Sequence, residues 1–308
     1  MITSSSSSLQ KRLALLAAHL VVAVIALIVI GGATRVMEAG LACPDWPLCY
    51  GSFLPGSQMN LQVFLEWFHR LDAFLVGIAL LAQMFLTLAW RSKISPWIPW
   101  VSFSLVMLVL FQGALGALTV LQLLPSLVVT AHLALALTLL AGVSALSQWL
   151  WSSSNLLAPI WWRLLAGTSL LAVIVQCLLG GLMATQWSFE LCLTEGKLCE
   201  WLNLHSNFAM FASFCLLLFV ITSLLAGGWP RSQWRWLLSV LGLLVIQITL
   251  GMFSVRFGLS RPLLIVSHQL VAALLVALMS ALTFRRPEAC PYLLPFNCEK
   301  LSVESLNG

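Results

Sequence analysis

Charge is what this 308-residue chain has least of: 8% of its residues are Asp, Glu, Lys or Arg. A soluble domain carries about 25%, so a water-exposed globule is excluded. The net charge of +5 is small and lies mainly between apolar runs, which leaves nucleic acid without a basic surface to bind. Glycine (19) and proline (12) are too few for a collagen-like repeat, and eight cysteines are too few for a secreted disulfide scaffold. Disorder is excluded by what is plentiful: 61% of the residues are hydrophobic, and the mean hydropathy is +1.00. These apolar residues fall in long runs.

A helix rises about 1.5 Å per residue, so about 20 apolar residues cross a bilayer core. Eight runs of that kind are predicted, roughly at 13–30, 65–90, 97–121, 129–151, 163–186, 203–227, 236–258 and 263–284. Strands are discounted, because the runs show no period of two and lipid offers no partner to unpaired backbone. The first run reads as a retained span ended by Gly31-Gly32, since no small-x-small cleavage site precedes them. With the N-terminus in the cytoplasm, ten of the fifteen cations fall on the inner side. Both termini are therefore expected inside, with residues 285–308 a loosely ordered cytoplasmic tail. Arg35, Arg70, Lys197, Arg256 and Arg261 are left outside, where bound anionic groups are one explanation.

Histidine is also scarce, and its placement is regular. From His69 to His132 is 63 residues, and from His205 to His268 is again 63. His69 to His205 and His132 to His268 are each 136. Gln112-x-x-x-Gly116 precedes His132, and Gln247-x-x-x-Gly251 precedes His268. Gly31-Gly32 and Gly180-Gly181 correspond, and a cysteine pair follows each: Cys43 with Cys49, then Cys192 with Cys199. The chain thus reads as an all-α polytopic membrane protein of eight helices in two tandem four-helix bundles. The bundles are residues 1–155 and 156–284, followed by the tail 285–308. Each has an even number of spans, so a pseudo-twofold axis along the membrane normal relates them.

Each repeated histidine is expected about one turn inside the outer end of its span. Ionisable residues at that depth are costly and usually functional. Two helices of a bundle, each presenting one imidazole inward, can hold one metal centre between them. Zinc would want three or four ligands, and no thiol or carboxylate recurs beside both pairs. Two axial nitrogens suit a six-coordinate haem, so His69 with His132 and His205 with His268 imply two haem sites. Arg35, Arg70 and Arg256 are candidates for holding propionates or the loop. His19 has no counterpart and reads as structural.

The halves differ at Glu66, three residues before His69, where the second half has Leu202. A buried carboxylate is expensive unless used or paired. Proton transfer is one use, and an ion pair with Arg70 or Arg35 is the alternative. The asymmetry points to chemistry in the first half and electron storage or relay in the second. The outer cysteines are expected to form two local disulfides that pin loops. Thiol–disulfide exchange and a four-cysteine zinc site stay open beside this. Cys177 and Cys215 read as packing residues.

The stretch Gly31-Gly32-Ala33-Thr34-Arg35 through Gly40-Leu41-x-Cys43-Pro44-Asp45-Trp46-Pro47-Leu48-Cys49-Tyr50-Gly51 resembles the first outer loop of haem A synthases. Glu66-x-x-His69-Arg70 resembles the segment that follows it, and the likeness covers nearly the whole chain. The resemblance implies an oxidoreductase that converts the C8 methyl of haem O to a formyl group, giving haem A for terminal oxidases. It implies that His69 and His132 hold haem O, that His205 and His268 hold a haem B cofactor, and that Glu66 is catalytic. It also maps Cys43 and Cys49 onto the first-loop pair of one subgroup. The partners it implies are a haem O synthase (a protohaem farnesyltransferase) as donor and an external thiol or quinone, within membrane lipid and without nucleic acid. A homo-oligomer is left open. The chain is shorter than mitochondrial members, so a bacterial plasma membrane is expected. Two other classes compete: a dihaem b-type electron carrier, and a haem transporter or chaperone without enzymatic activity.

Overall fold

A computed structural model describes residues 4–152, 156–185 and 197–287. Its long helices are α1 (Ser4–Val36), α2 (Leu61–Ala89), α3 (Ile98–Leu121), α4 (Ser126–Trp151), α5 (Ile160–Thr185), α6 (Lys197–Leu225), α7 (Trp234–Arg256) and α8 (Pro262–Thr283). All eight are long and apolar enough to cross a membrane, and no β-strand occurs among the described residues. The protein is a multi-pass, all-helical membrane protein.

Local chemistry sets the helix ends. Asn60 caps α2 by accepting from the Val63 N–H at 3.0 Å. Proline stands in the first turn of α3 and of α8, where no N–H is needed. Three helices end on the same left-handed turn. Ala39 N–H donates to the Thr34 carbonyl, Leu124 N–H to Thr119 and Leu259 N–H to Ser254, at 2.7–2.8 Å. Glu38, Leu123 and Gly258, each just before the donor, carry the positive φ those turns require.

Helix α1 packs on α2 and α4, and α3 packs on the same two. In the second half α5 packs on α6 and α8, and α7 on the same two. The halves meet through α1 on α8, α4 on α8 and α4 on α5. Two of these junctions match across the repeat: Gly32 of α1 meets the Gln269 amide of α8, and Gly181 of α5 meets Leu133 of α4. Helix α1 therefore does not stop at Gly31-Gly32, as expected from sequence. It runs on to Val36, and the two glycines serve close packing within it.

Trp162 is fully buried against Phe219 and Trp229, and its indole N–H donates to the Leu282 carbonyl at 2.9 Å. The start of the tail is not loose. Arg286 lies 3.9 Å over the Trp149 ring and donates to the Trp149 and Ser152 carbonyls, while Arg285 donates to Gln233. The remainder of 285–308, from residue 288 on, lies outside the described residues.

Candidate functional site

The four repeated histidines lie near the end of the helices that carries loop 37–60. His69 and His205 stand eight residues into α2 and α6, and His132 and His268 stand six residues into α4 and α8. At about 1.5 Å per residue that is roughly 12 and 9 Å, two turns rather than the expected one. The difference arises because α2, α4 and α6 begin four, three and six residues before the apolar runs at 65–90, 129–151 and 203–227.

Each imidazole packs against a glycine of the preceding helix. A β-carbon on Gly31 would stand 2.9 Å from Cε1 of His69, and one on Gly116 would stand 3.3 Å from Cε1 of His132. The corresponding distances are 3.0 Å for Gly180 to His205 and 3.1 Å for Gly251 to His268. Helices α1, α3, α5 and α7 thus each provide a notch, and the four rings are held inside the protein rather than toward lipid.

The second pair is the more fully engaged. The His205 and His268 ring centroids are 6.5 Å apart. The Gln176 amide nitrogen lies 3.1 Å from Nδ1 of His205, and that of Gln247 lies 3.2 Å from Nε2 of His268. In the first pair, Nδ1 of His69 and Nδ1 of His132 are buried without a hydrogen-bond partner; the side-chain oxygens of Gln112, Gln176 and Gln247 lack one in both pairs alike. Gln176 was not singled out from the sequence. Its signal is its place four residues before Gly180, as Gln112 and Gln247 precede Gly116 and Gly251. Leu27 holds that place before Gly31, which breaks the pattern.

These residues fit an iron porphyrin. An imidazole–metal bond is about 2.0–2.1 Å, so two rings on opposite sides of one metal stand roughly 6 Å apart. The His205–His268 separation is close to that. The orphaned nitrogens of the first pair are ready donors. No group of three or more His, Cys, Asp or Glu able to hold a metal ion occurs among the described residues, which leaves zinc short of ligands.

Glu66, 3% exposed, is the ion pair that the sequence left as an alternative. Its Oε1 is 2.5 Å from Arg70, and its Oε2 accepts from the Cys43 N–H at 2.8 Å. Arg70 also donates to the carbonyls of Asp45, Leu48 and Cys43. A Cys43–Cys49 disulfide closes the same loop. Asp45 accepts from Gly51 at 2.8 Å and Tyr50 at 2.6 Å, and these N–H groups hold its carboxyl below the usual carboxylate range. Arg70 therefore supports the loop, with its guanidinium turned into it. Arg35 donates to the Ala184 carbonyl at 3.1 Å, joining the ends of α1 and α5, and Arg256 is exposed at the end of α7. His19 bonds its own helix at Leu15. Cys177 and Cys215 are free. Cys192 lies outside the described residues, as does the side chain of Cys199, so the second disulfide cannot be placed among them.

Fold and site define a multi-pass membrane protein that holds two pairs of imidazoles between its helices. The profile of the COX15-CtaA family, described as cytochrome oxidase assembly proteins, matches residues 12–280, and the chain belongs to that family. A Shewanella oneidensis protein named heme A synthase is 32% identical over 217 residues, which is 61% of this chain and 61% of the relative. Its namesake in Bradyrhizobium diazoefficiens is 32% identical over 201 residues, 53% of this chain and 55% of the relative. One from Sphingopyxis alaskensis is 28% identical over an alignment of 347 positions that takes in 92% of this chain and 95% of the relative. The chain therefore spans less than two thirds of the length of the first two and nearly all of the third.

Proposed function

We propose that this chain is a haem A synthase of a bacterial plasma membrane, with both termini in the cytoplasm. The observation that carries this is the fourfold packing of His69, His132, His205 and His268 on glycines at matched depth. Membership of a cytochrome oxidase assembly family and relatives named heme A synthase support it. The matched Gly32–Gln269 and Gly181–Leu133 junctions support two four-helix units, residues 1–155 and 156–284.

The substrate is haem O and the product haem A. With water as the oxygen source, the conversion is R–CH3 + H2O → R–CHO + 4 H⁺ + 4 e⁻. His69 and His132 bind the substrate iron and set its ring between α2 and α4. Glu66 holds or takes a proton at the reacting edge, and Arg70 fixes its carboxylate. The Cys43–Cys49 loop closes the site from outside water. His205 and His268 hold haem B, which supplies one-electron transfer when bound. The electrons and protons go on to an external redox partner in its oxidised form, two disulfides becoming dithiols or two quinones becoming quinols. A haem O synthase is the donor of the substrate.

Expression with and without a haem O synthase, followed by chromatography of the extracted haems, tests this. Haem A should form only when haem O is made. Bound haem B with no haem A in either case would favour the electron carrier. Haem O that is bound but never oxidised would favour the transporter.

A further inference from the structure

Arg261 is a cation that the histidine sites leave unused. It stands exposed in the turn from α7 to α8, directly before the first residue of α8. Among the described residues the Arg70–Glu66 pair is the one salt bridge, so Arg261 has no acidic partner there. Arg256, the last residue of α7, is exposed in the same turn.

Arg261 lines a cavity of about 490 Å³ together with Phe257, Pro262, Leu263 and Leu264. Small-molecule sites typically run to about 300–1,000 Å³. Apart from the guanidinium, every side chain around this one is apolar. Leu263 is 78% exposed and Phe257 46%, so the cavity opens on the surface of the protein and not into the bundle. No side chain caps α8, which leaves the positive end of its dipole at the same place. His268 lies six residues further into α8. The cavity is therefore about 9 Å nearer water than that imidazole, at the level where a span meets the lipid headgroups.

The first half repeats the turn without the chemistry. Leu124 N–H donates to the Thr119 carbonyl as Leu259 N–H does to Ser254, and His132 again lies six residues into α4. Counted from the matching helix ends, Arg256 corresponds to Leu121, Phe257 to Gln122 and Arg261 to Pro125. The same backbone turn thus forms without either arginine. The two cations are not a requirement of the fold, and they belong to the second half alone.

A guanidinium beside an apolar cavity at headgroup depth matches a ligand that carries both an anion and a hydrocarbon chain. A free anion would leave the cavity unfilled, and a purely apolar ligand would leave the arginine unused. We propose that the α7–α8 turn is a binding site for an anionic phospholipid, drawn from the leaflet on the side of the disulfide loop. The lipid phosphate accepts from Arg261 at the start of α8. An acyl chain lies along Phe257, Leu263 and Leu264. Arg256 adds positive potential to the same turn.

Native mass spectrometry of the purified, delipidated full-length protein tests this without reference to haem or activity. Phosphatidylglycerol should bind about fivefold more tightly than phosphatidylcholine with the same acyl chains, the effect expected of one cation at a membrane surface. Arg261→Gln should abolish that preference. Arg235→Gln, which removes an exposed charge from the other end of α7, should keep it. Equal binding of the two lipids by the unaltered protein would overturn the proposal, as would a preference that survives Arg261→Gln. An equal loss in Arg235→Gln would also overturn it, because net charge and not a site would then be acting. Glycerol phosphate, the headgroup anion without chains, should not displace the lipid at equal concentration. Full displacement would make this a site for free anions and remove the acyl chain from it.

Discussion

Gly180 lies so close to His205 that a β-carbon on it would stand 3.0 Å from Cε1 of the imidazole. Gly31 holds the same relation to His69, at 2.9 Å. An added methyl must displace the ring or the helix, and overpacking of that kind costs about 1–3 kcal/mol. Gly31→Ala and Gly180→Ala should each lose most of the haem of their own half. Gly77→Ala and Gly113→Ala should keep it, because nothing lies within 4 Å of the new carbon. The haem-to-protein ratio of purified variants, read from absorption spectra, checks this. Full occupancy in Gly31→Ala and Gly180→Ala would separate the glycine notches from haem binding.

Glu66 is buried and Arg70 partly buried against it, so their removal is informative only when charge and shape are varied separately. Glu66→Ala leaves the Arg70 guanidinium without its counter-charge and the Cys43 N–H without its acceptor. Breaking a buried pair in this way costs about 3–5 kcal/mol. The variant should unfold at a lower temperature. Glu66→Gln keeps an acceptor for Cys43 and should fold with normal haem content. If Glu66 handles a proton, Glu66→Gln makes no haem A. Normal haem A from that variant would reduce Glu66 to a structural ion pair.

Asp45 gives the outer loop a defined response to acid. Its carboxyl is held low by the Gly51 and Tyr50 N–H groups, and the ordinary Asp value is about 3.9. A lowered carboxyl contributes stability above its ordinary value and loses it as pH falls through the lowered one. The Tyr50 and Gly51 amides should therefore stay protected from hydrogen exchange at about pH 5 and lose protection only well below about pH 4. Asp45→Asn should remove that pH step, since a neutral amide does not titrate in this range.

Much of this was legible because low charge and regular spacing are one-dimensional signals. The eight spans, the histidine register, the Gln-x-x-x-Gly notches and the Cys43–Cys49 pair all come from runs and intervals. Histidine depth did not, because α2 and α6 start four and six residues before the apolar runs at 65–90 and 203–227. Gln176 was hidden by the absence of a partner at Leu27. The docking of Arg286 on Trp149 needs two segments 137 residues apart to meet, and no local pattern records that. For Glu66 the sequence leaves proton transfer and an ion pair open, and only the fold shows the carboxylate paired with Arg70 rather than Arg35.

The disulfide and Arg70 hold one loop by different means, and their removal should not be equivalent. The Cys43–Cys49 bridge spans six residues, so its effect on the unfolded chain is small, about 2 kcal/mol in the loop-closure account. Arg70 binds three carbonyls of that loop and the buried Glu66. Hydrogen bonds to charged groups are worth about 1.5–3 kcal/mol each, and the loss here leaves acceptors orphaned. Arg70→Ala should therefore lower the unfolding temperature more than the Cys43→Ser, Cys49→Ser double variant does, and should lose haem from the first half. The double variant should keep its haem. Its haem A yield then separates the two uses of the cysteines: a normal yield marks a structural staple, and a lost yield with intact haem marks thiol–disulfide exchange with an outside partner. A double variant less stable than Arg70→Ala would show that the bridge, and not the guanidinium, organises the loop.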